Sequence, residues 1–288
     1  MQKNFFVKTH GLGNDYLVFD DSNISFPVNE RTVKYICDVH YGIGSDGLLL
    51  MTPSKKADFG LRIFNPDGSE AEKSGNGLRI FAKFLYDYKY SKKKLFSIET
   101  LGGIVKASID KQIRSKATLV SIEMGKATFI SSEIPVKSEK SECLDYPLFI
   151  GDKKFLINCV SVGNPHCGII CEKLDIDEVL AYGPKLEVHP MFPNKINVQF
   201  IKPVSDNEAE ILIWERGAGY TLASGSSSCA VACILKKKGL VGNRVTIKMP
   251  GGKLEIKMDD EFNLTLSGEV RQIAEGYLDV ELLEDIKT

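Results

Sequence analysis

Two short stretches of the chain carry the same device, "EKSGNGLR" around Ser74 and "LASGSSSCA" around Ser224. Each sets a Ser-Gly step directly before helix-like sequence. A helix N-terminus presents unpaired N–H groups and a partial positive charge, which together suit a carboxylate or phosphate. Each serine is therefore either an ordinary N-cap, where Ser outperforms Ala by ~1 kcal/mol, or a proton-handling side chain beside a bound anion. The neighbouring loops shift the weight toward the second. "GLGNDY" contributes Asn14, "FNPDGSE" Asn65, "GNPHCG" Asn164 and His166, "KINVQF" Asn197, and "WERGAG" Glu215 and Arg216. One Asn in such a loop is a turn former. Several at matched positions point to a pocket that reads a zwitterion, with amides on the ammonium and carboxylate and Arg216 paired bidentately with a second carboxylate.

The matching is arithmetical. A shift of 150 positions pairs Ser74-Gly75 with Ser224-Gly225, and Ala82 and Leu85 with Ala232 and Leu235. The same shift pairs Gly13-Asn14 with Gly163-Asn164, and Ile63-Phe64-Asn65 with Ile213-Trp214-Glu215. A duplicated domain is the reading, its halves facing each other across a cleft.

The elements that must hold these residues are mostly short strands, marked by apolar alternation in "NFFVK", "YLVFD", "GLLLMT", "INVQFI" and "AEILIWE". The breaks "LGG", "PGG" and "DDEFN" read as hairpin turns. One helix is expected over 76–88, where Leu78, Phe81, Leu85 and Tyr88 share a face. A second is expected over 228–238, stopped by Gly239. It is apolar on nearly every side and should be enclosed by sheet. The polar stretch 131–145 is the expected crossing between halves. That places a first domain at 1–128 with a C-terminal return at 276–288, and a second at 129–275.

Composition narrows the function classes. Lys and Arg (37) balance Asp and Glu (38), so no overall field draws a polyanion or a membrane surface. No apolar run approaches the length of a membrane span, and the start lacks the core of a signal peptide. Seven cysteines, without a disulfide-domain spacing, fit buried thiols in a reducing cytoplasm. "GLGNDY" and "GAGYTL" lack the third glycine of a dinucleotide fingerprint. Cys167/Cys171 and Cys229/Cys233 read as core thiols rather than metal ligands. His10, His40 and His189 are assigned no role.

Over almost its full length the chain resembles the cofactor-independent diaminopimelate epimerases. The resemblance rests on "GLGNDY", "NPDGSE", "SGNGLR", "VGNPHCG", "INVQF" and "WERGAGYTLASGS", in the order and spacing of that family. It implies an α+β fold of two pseudo-symmetric domains, each a curled, mostly antiparallel sheet around a central helix, with the active site in the cleft between them. It also implies a homodimer without cofactor or metal, converting LL- to meso-diaminopimelate for lysine and peptidoglycan synthesis. In that family two cysteines face the substrate α-carbon; one takes the proton as thiolate and the other delivers one to the opposite face. Carried over, these are Ser74 and Ser224. The implied substrate contacts are Asn14, Asn65, Gly75, Asn76, Asn164, Asn197, Glu215, Arg216, Gly225 and Ser226. His166 and Glu215 would adjust the two proton affinities.

Several positions depart from the pattern. Both cysteines are serine, the glutamine of the "GxDQ"-like segment is Gly47 in "GIGSDGLLL", and Ser226 replaces a threonine. Gly47 removes one side-chain contact to substrate. An alcohol is the weaker acid; a gap of roughly five pKa units from a thiol makes the base about 7 kcal/mol harder to form, on the order of 10⁵-fold in rate unless the site compensates. Three readings follow: an epimerase with its cysteines substituted, a native divergent branch, or a pocket retained for binding alone. Gly47 and the reworked "SGSSSCA" favour native divergence, and the retained Glu215, Arg216 and His166 weigh against simple decay. Within enzymes the alternative is a racemase of another amino acid; outside them, a catalytically silent amino-acid-binding homologue.

Overall fold

A computed structural model describes residues 3–287. The chain forms two compact units. One comprises residues up to Ile122 together with those from Gly268 onward; the other is Glu123–Ser267.

The first unit opens with β1 (Phe5–Gly11), β2 (Asn14–Asp20), α1 (Glu30–Cys37), β3 (Leu48–Thr52), β4 (Phe59–Phe64) and the short β5 (Glu70–Ala71). It continues through α2 (Gly75–Asp87), β6 (Leu95–Thr100), β7 (Gly103–Ile113) and β8 (Lys116–Lys126). The second unit holds β9 (Tyr146–Ile150), β10 (Lys153–Ser161), β11 (Pro165–Ile170), α3 (Ile176–Glu187), β12 (Asn197–Ser205), β13 (Glu208–Glu215) and β14 (Gly219–Thr221). Then come α4 (Gly225–Lys237), β15 (Arg244–Met249), β16 (Gly252–Met258) and β17 (Asn263–Glu269). The chain returns to the first unit with β18 (Arg271–Tyr277) and α5 (Val280–Lys287).

The duplication is written into the strand pairing. In the first unit β18–β1 and β1–β2 are antiparallel, β2–β3 parallel, β3–β4 antiparallel, β4–β6 parallel, and β6–β7 and β7–β8 antiparallel. The second unit repeats that series through β9, β10, β11, β12, β13, β15, β16 and β17. Registers agree too: Leu17 pairs with Leu48, and Cys167, 150 residues on, pairs with Val198. The three hairpin breaks fall where expected, at Thr100–Gly103, Met249–Gly252 and between β16 and β17.

Each sheet curls round one helix. Helix α2 touches β1, β2 and β7, and α4 touches β10, β11, β12, β15 and β16. Strand alternation then sorts the two sheet faces. Leu48 and Leu50 pack outward with Val33 and Ile36 of α1 and with Ile286 of α5. In the second unit Val198 and Phe200 pack outward with Val179 and Leu186 of α3. Leu49 instead faces inward, near Gly77 of α2.

The helix over 228–238 begins three residues earlier than its apolar run, because Ser224 caps it and the small polar residues Ser226–Ser228 complete its first turn. Helix α2 is buried well beyond the one apolar face read from its spacing. Arg79, Lys83 and Asp87 are enclosed as well. Lys83 Nζ meets Asp87 Oδ2 and the Ala117 carbonyl, each at 2.7 Å, and Asp87 Oδ1 accepts from the Ala117 amide at 2.7 Å. Charge on the far face is thus paired internally instead of hydrated. The polar stretch 131–145 is not a crossing. Its apolar residues Ile134, Val136 and Cys143 are buried in the core of the second unit, and the seam lies at 122/123, inside β8. Helices α1, α3 and α5 are additional to the two expected, although α1 is strongly amphipathic and Asn29 and Asp175 cap α1 and α3. Among the described residues, no helix is long and apolar enough to cross a membrane.

Candidate active site

Ser74 and Ser224 are both N-caps. Their backbones are extended (φ −139°, ψ 119° and φ −144°, ψ 127°), and each Oγ accepts from the amide three residues on. Gly77 N donates to Ser74 Oγ at 3.0 Å, and Ser227 N to Ser224 Oγ at 3.4 Å. The cap reading leaves the proton-handling one open, because an amide N–H at a helix start would also stabilise an oxyanion on the same atom.

In the first unit a polar chain runs beside the cap. Asn76 donates to Asn14 Oδ1 at 3.1 Å, and Asn14 donates to Asp46 Oδ2 at 3.0 Å. The buried Arg79 guanidinium donates to Asn76 Oδ1 (2.8 Å) and to the Gly75 carbonyl (3.0 Å), setting a positive charge within the first turn of α2. Tyr16, a buried residue beside the Gly47 backbone, lies with its Oη 3.4 Å from Ser74 Oγ. Asn65 is held apart from this chain in its own turn, where its amide donates to Ser69 Oγ at 3.0 Å.

The second unit repeats the arrangement with other side chains. Asn164 donates to Ser226 Oγ at 3.5 Å, as Asn14 and Asn76 meet 150 residues earlier, and Ser226 Oγ lies 3.5 Å from Ser224 Oγ. His166 is fully buried. Its Nε2 donates to Asn164 Oδ1 at 3.0 Å, and its Nδ1 accepts from Gln199 Nε2 at 3.0 Å. Burial pushes its pKa down to about 3, against the Gln199 contact, and the nearby Arg216 charge lowers it further. His166 is therefore neutral near pH 7, and its link to Ser224 runs through Asn164 and Ser226. Glu215 differs in kind. Burial raises its carboxyl pKa above the usual range, partly offset by hydrogen bonds from Thr221 (2.8 Å) and Ser224.

Asn197 and Arg216 are brought together. Asn197 Oδ1 accepts from the Arg216 amide at 3.0 Å, while its Nδ2 donates to the Pro165 carbonyl at 2.9 Å. The Arg216 guanidinium donates to the Asn194 carbonyl at 3.1 Å at an exposed position. Glu187 steadies this loop by accepting from the Gly217 amide and the Trp214 indole. Cys167, Cys229 and Cys233 are buried and Cys171 half-buried, in keeping with core thiols.

Sequence reasoning passed over Tyr16, Arg79, Gln199 and Thr221. The repeat held the signal for two of them. A shift of 150 carries Tyr16 to His166 and Leu49 to Gln199, so an inward polar residue replaces an inward leucine.

This fold is shared with solved epimerase structures. A hydroxyproline epimerase from Agrobacterium vitis superposes with a TM-score of 0.71 at 14% identity, covering 95% of this chain and 90% of that one. A probable proline racemase from Agrobacterium radiobacter K84 gives 0.70 at 13% identity, covering 96% and 93%. These likenesses show a shared α+β fold. The family model of diaminopimelate epimerase matches residues 6–130 and 158–273. Diaminopimelate epimerase 2 of Nostoc is 46% identical over 278 residues, 96% of each chain. The diaminopimelate epimerase of Methanococcus maripaludis is 40% identical over 276 residues, covering 96% of this chain and 99% of that one. The chain belongs to the diaminopimelate epimerase family.

Proposed function

We propose that this chain interconverts LL- and meso-diaminopimelate by moving a proton at the α-carbon, with Ser74 and Ser224 as the two proton carriers. The observation that supports it most is the pair of serine caps at equivalent helix starts, each with its Oγ accepting from the backbone amide three residues on. On the Ser224 side, Glu215 accepts the serine proton as Oγ takes the α-proton, and the C–H electron pair stays on carbon. Ser74 then delivers its hydroxyl proton to the opposite face, leaving an alkoxide held by the Gly77 amide. The reverse direction exchanges the two roles. Asn14, Asn65, Gly75, Asn76, Asn164, Asn197, Arg216, Gly225 and Ser226 form the substrate contacts in this reading. His166 supports Asn164 as a neutral donor. A cytoplasmic homodimer completes the proposal.

Proton NMR in deuterated buffer tests it directly, following the α-proton signal of LL- and meso-diaminopimelate. Exchange by the chain, faster in the Ser74→Cys, Ser224→Cys variant, is the expected result. Silence from both removes the assignment. A second reading, a racemase of another amino acid, draws on Gly47, whose side-chain space is taken by the Tyr16 ring. Profiling exchange across other amino acids separates the two.

A further inference from the structure

We propose that Tyr16 is a positioning residue for Ser74: its hydroxyl holds Ser74 Oγ and stabilises the alkoxide, and Gly47 is the vacancy that admits its ring. The inference rests on the reading of Ser74 as a proton carrier.

The geometry has three parts. Tyr16 Oη lies 3.4 Å from Ser74 Oγ, an oxygen that already accepts from Gly77 N. In the orientation proposed, with Tyr16 donating beside the Gly77 amide, the Ser74 proton points away from both groups. A hydrogen bond of this length is one that can tighten when charge develops on the acceptor. Second, the ring is locked. A Cβ built on Gly47 would stand 2.7 Å from Tyr16 Cε1 and 2.4 Å from the Phe64 carbonyl oxygen, closer than real contacts allow. A glycine at 47 and a tyrosine at 16 therefore form one device, since any side chain at 47 would expel the ring or move the β4 backbone. Third, the repeat supplies independent support. Tyr16 occupies the strand position that His166 occupies 150 residues later, and Gly47 the position of Asn197, one pair before Leu17–Leu48 and equal to the pair His166–Asn197. The second unit fills this spot with an imidazole and the first with a phenol. The phenol reaches the start of its central helix directly, whereas the imidazole is linked to the start of α4 through Asn164 and Gln199.

No proton leaves Tyr16 in this role. Its O–H donates to the Ser74 alkoxide and remains covalently intact, which eases formation of a base that alcohols otherwise resist.

The test uses Ser74→Cys as a reporter, because a thiol at that position titrates within an accessible range. Its pKa is read from the pH dependence of iodoacetamide labelling, with the labelled site mapped by peptide mass. Adding Tyr16→Phe, which keeps the ring and removes the hydroxyl, is expected to raise that pKa by about 0.5–1 unit. Gly47→Ala should raise it in the same direction by displacing the ring. An unchanged thiol pKa in the Tyr16→Phe background, with unaltered circular dichroism and melting temperature, overturns the proposal. In the Ser74 chain, Tyr16→Phe should lower kcat for α-proton exchange roughly 5–10-fold while KM stays within about twofold. A change confined to KM would also overturn it. If the unsubstituted chain exchanges no α-proton, the proposed reaction falls, and the thiol titration still decides the role of Tyr16.

Discussion

Gln199 donates one amide hydrogen to Nδ1 of His166 at 3.0 Å and another to Ser227 Oγ at 3.0 Å, so a single buried side chain joins the imidazole to the first turn of α4. The contact decides the tautomer. With Nδ1 accepting, the ring proton sits on Nε2 and donates to Asn164.

Gln199→Leu should therefore act at two levels. It leaves His166 Nδ1 and Ser227 Oγ without their donor in a dry setting, at a cost of ~1–3 kcal/mol measured by urea unfolding. Nitrogen NMR of the imidazole should show the Nε2–H tautomer lose its dominance. Because His166 stays neutral in the folded chain down to about pH 3, the unfolded chain binds the extra proton below its ordinary value of 6.5. Stability is thus fully present above 6.5 and is lost as pH falls toward 3, and His166→Gln should flatten that part of the curve.

Glu215 carries the opposite sign. A carboxyl pKa raised by burial means that the folded state holds the proton more tightly than the unfolded state does. Its contribution to stability is present below the ordinary glutamate value and is lost as pH rises through the raised one. Glu215→Gln should be as stable as the parent or more so at pH 8, with the difference closing near pH 4 in melting-temperature scans. The same variant should lose on the order of 10²–10⁴-fold in α-proton exchange, since Ser224 no longer has a base beside it.

Restoring the family glutamine at position 47 should not restore a substrate contact. Gly47→Gln drives a Cβ against the Phe64 carbonyl and the Tyr16 ring, and an overpacking cost of ~1–3 kcal/mol is expected in denaturant titration. A variant that is both stable and more active would show that the Tyr16 ring has another place to go.

Asp87→Asn tests the buried polar face of α2. Lys83 and Asp87 side chains are 6% and 1% exposed, so removing the carboxylate leaves an uncompensated ammonium in the core. A loss of ~3–5 kcal/mol is expected by urea unfolding, far above the effect of breaking an exposed pair such as Lys34–Glu30.

Much of the architecture was legible because the duplication is carried by local signals. Glycine-asparagine loops, Ser-Gly helix starts and alternating strands each depend on a few neighbouring residues, and two copies in one register reinforce each other. The helix starts illustrate both reach and limit. Ser74 and Ser224 were recognisable as caps, yet α4 begins before its apolar run, since Ser226–Ser228 are held by the contacts of Ser227 with Gln199 and of Ser228 with Met249 rather than by propensity. The stretch 131–145 misled for the converse reason. Its polar residues dominate the composition, while the few apolar ones, Ile134, Val136 and Cys143, carry the packing.

The sequence by itself determined the repeat, the two serine caps and the family, because these rest on residue identity and spacing along the chain. What surrounds each cap was decided only in three dimensions. Asn65 spends its amide on its own turn, Asn197 spends its on the Arg216 loop, and His166 is neutral and locked by Gln199. Tyr16 reaches Ser74 from 58 residues away, through a gap that Gly47 leaves open. Such roles depend on which strands lie side by side and how closely the central helix approaches them. Burial and hydrogen-bond partners, which set proton affinity, are properties of that packing.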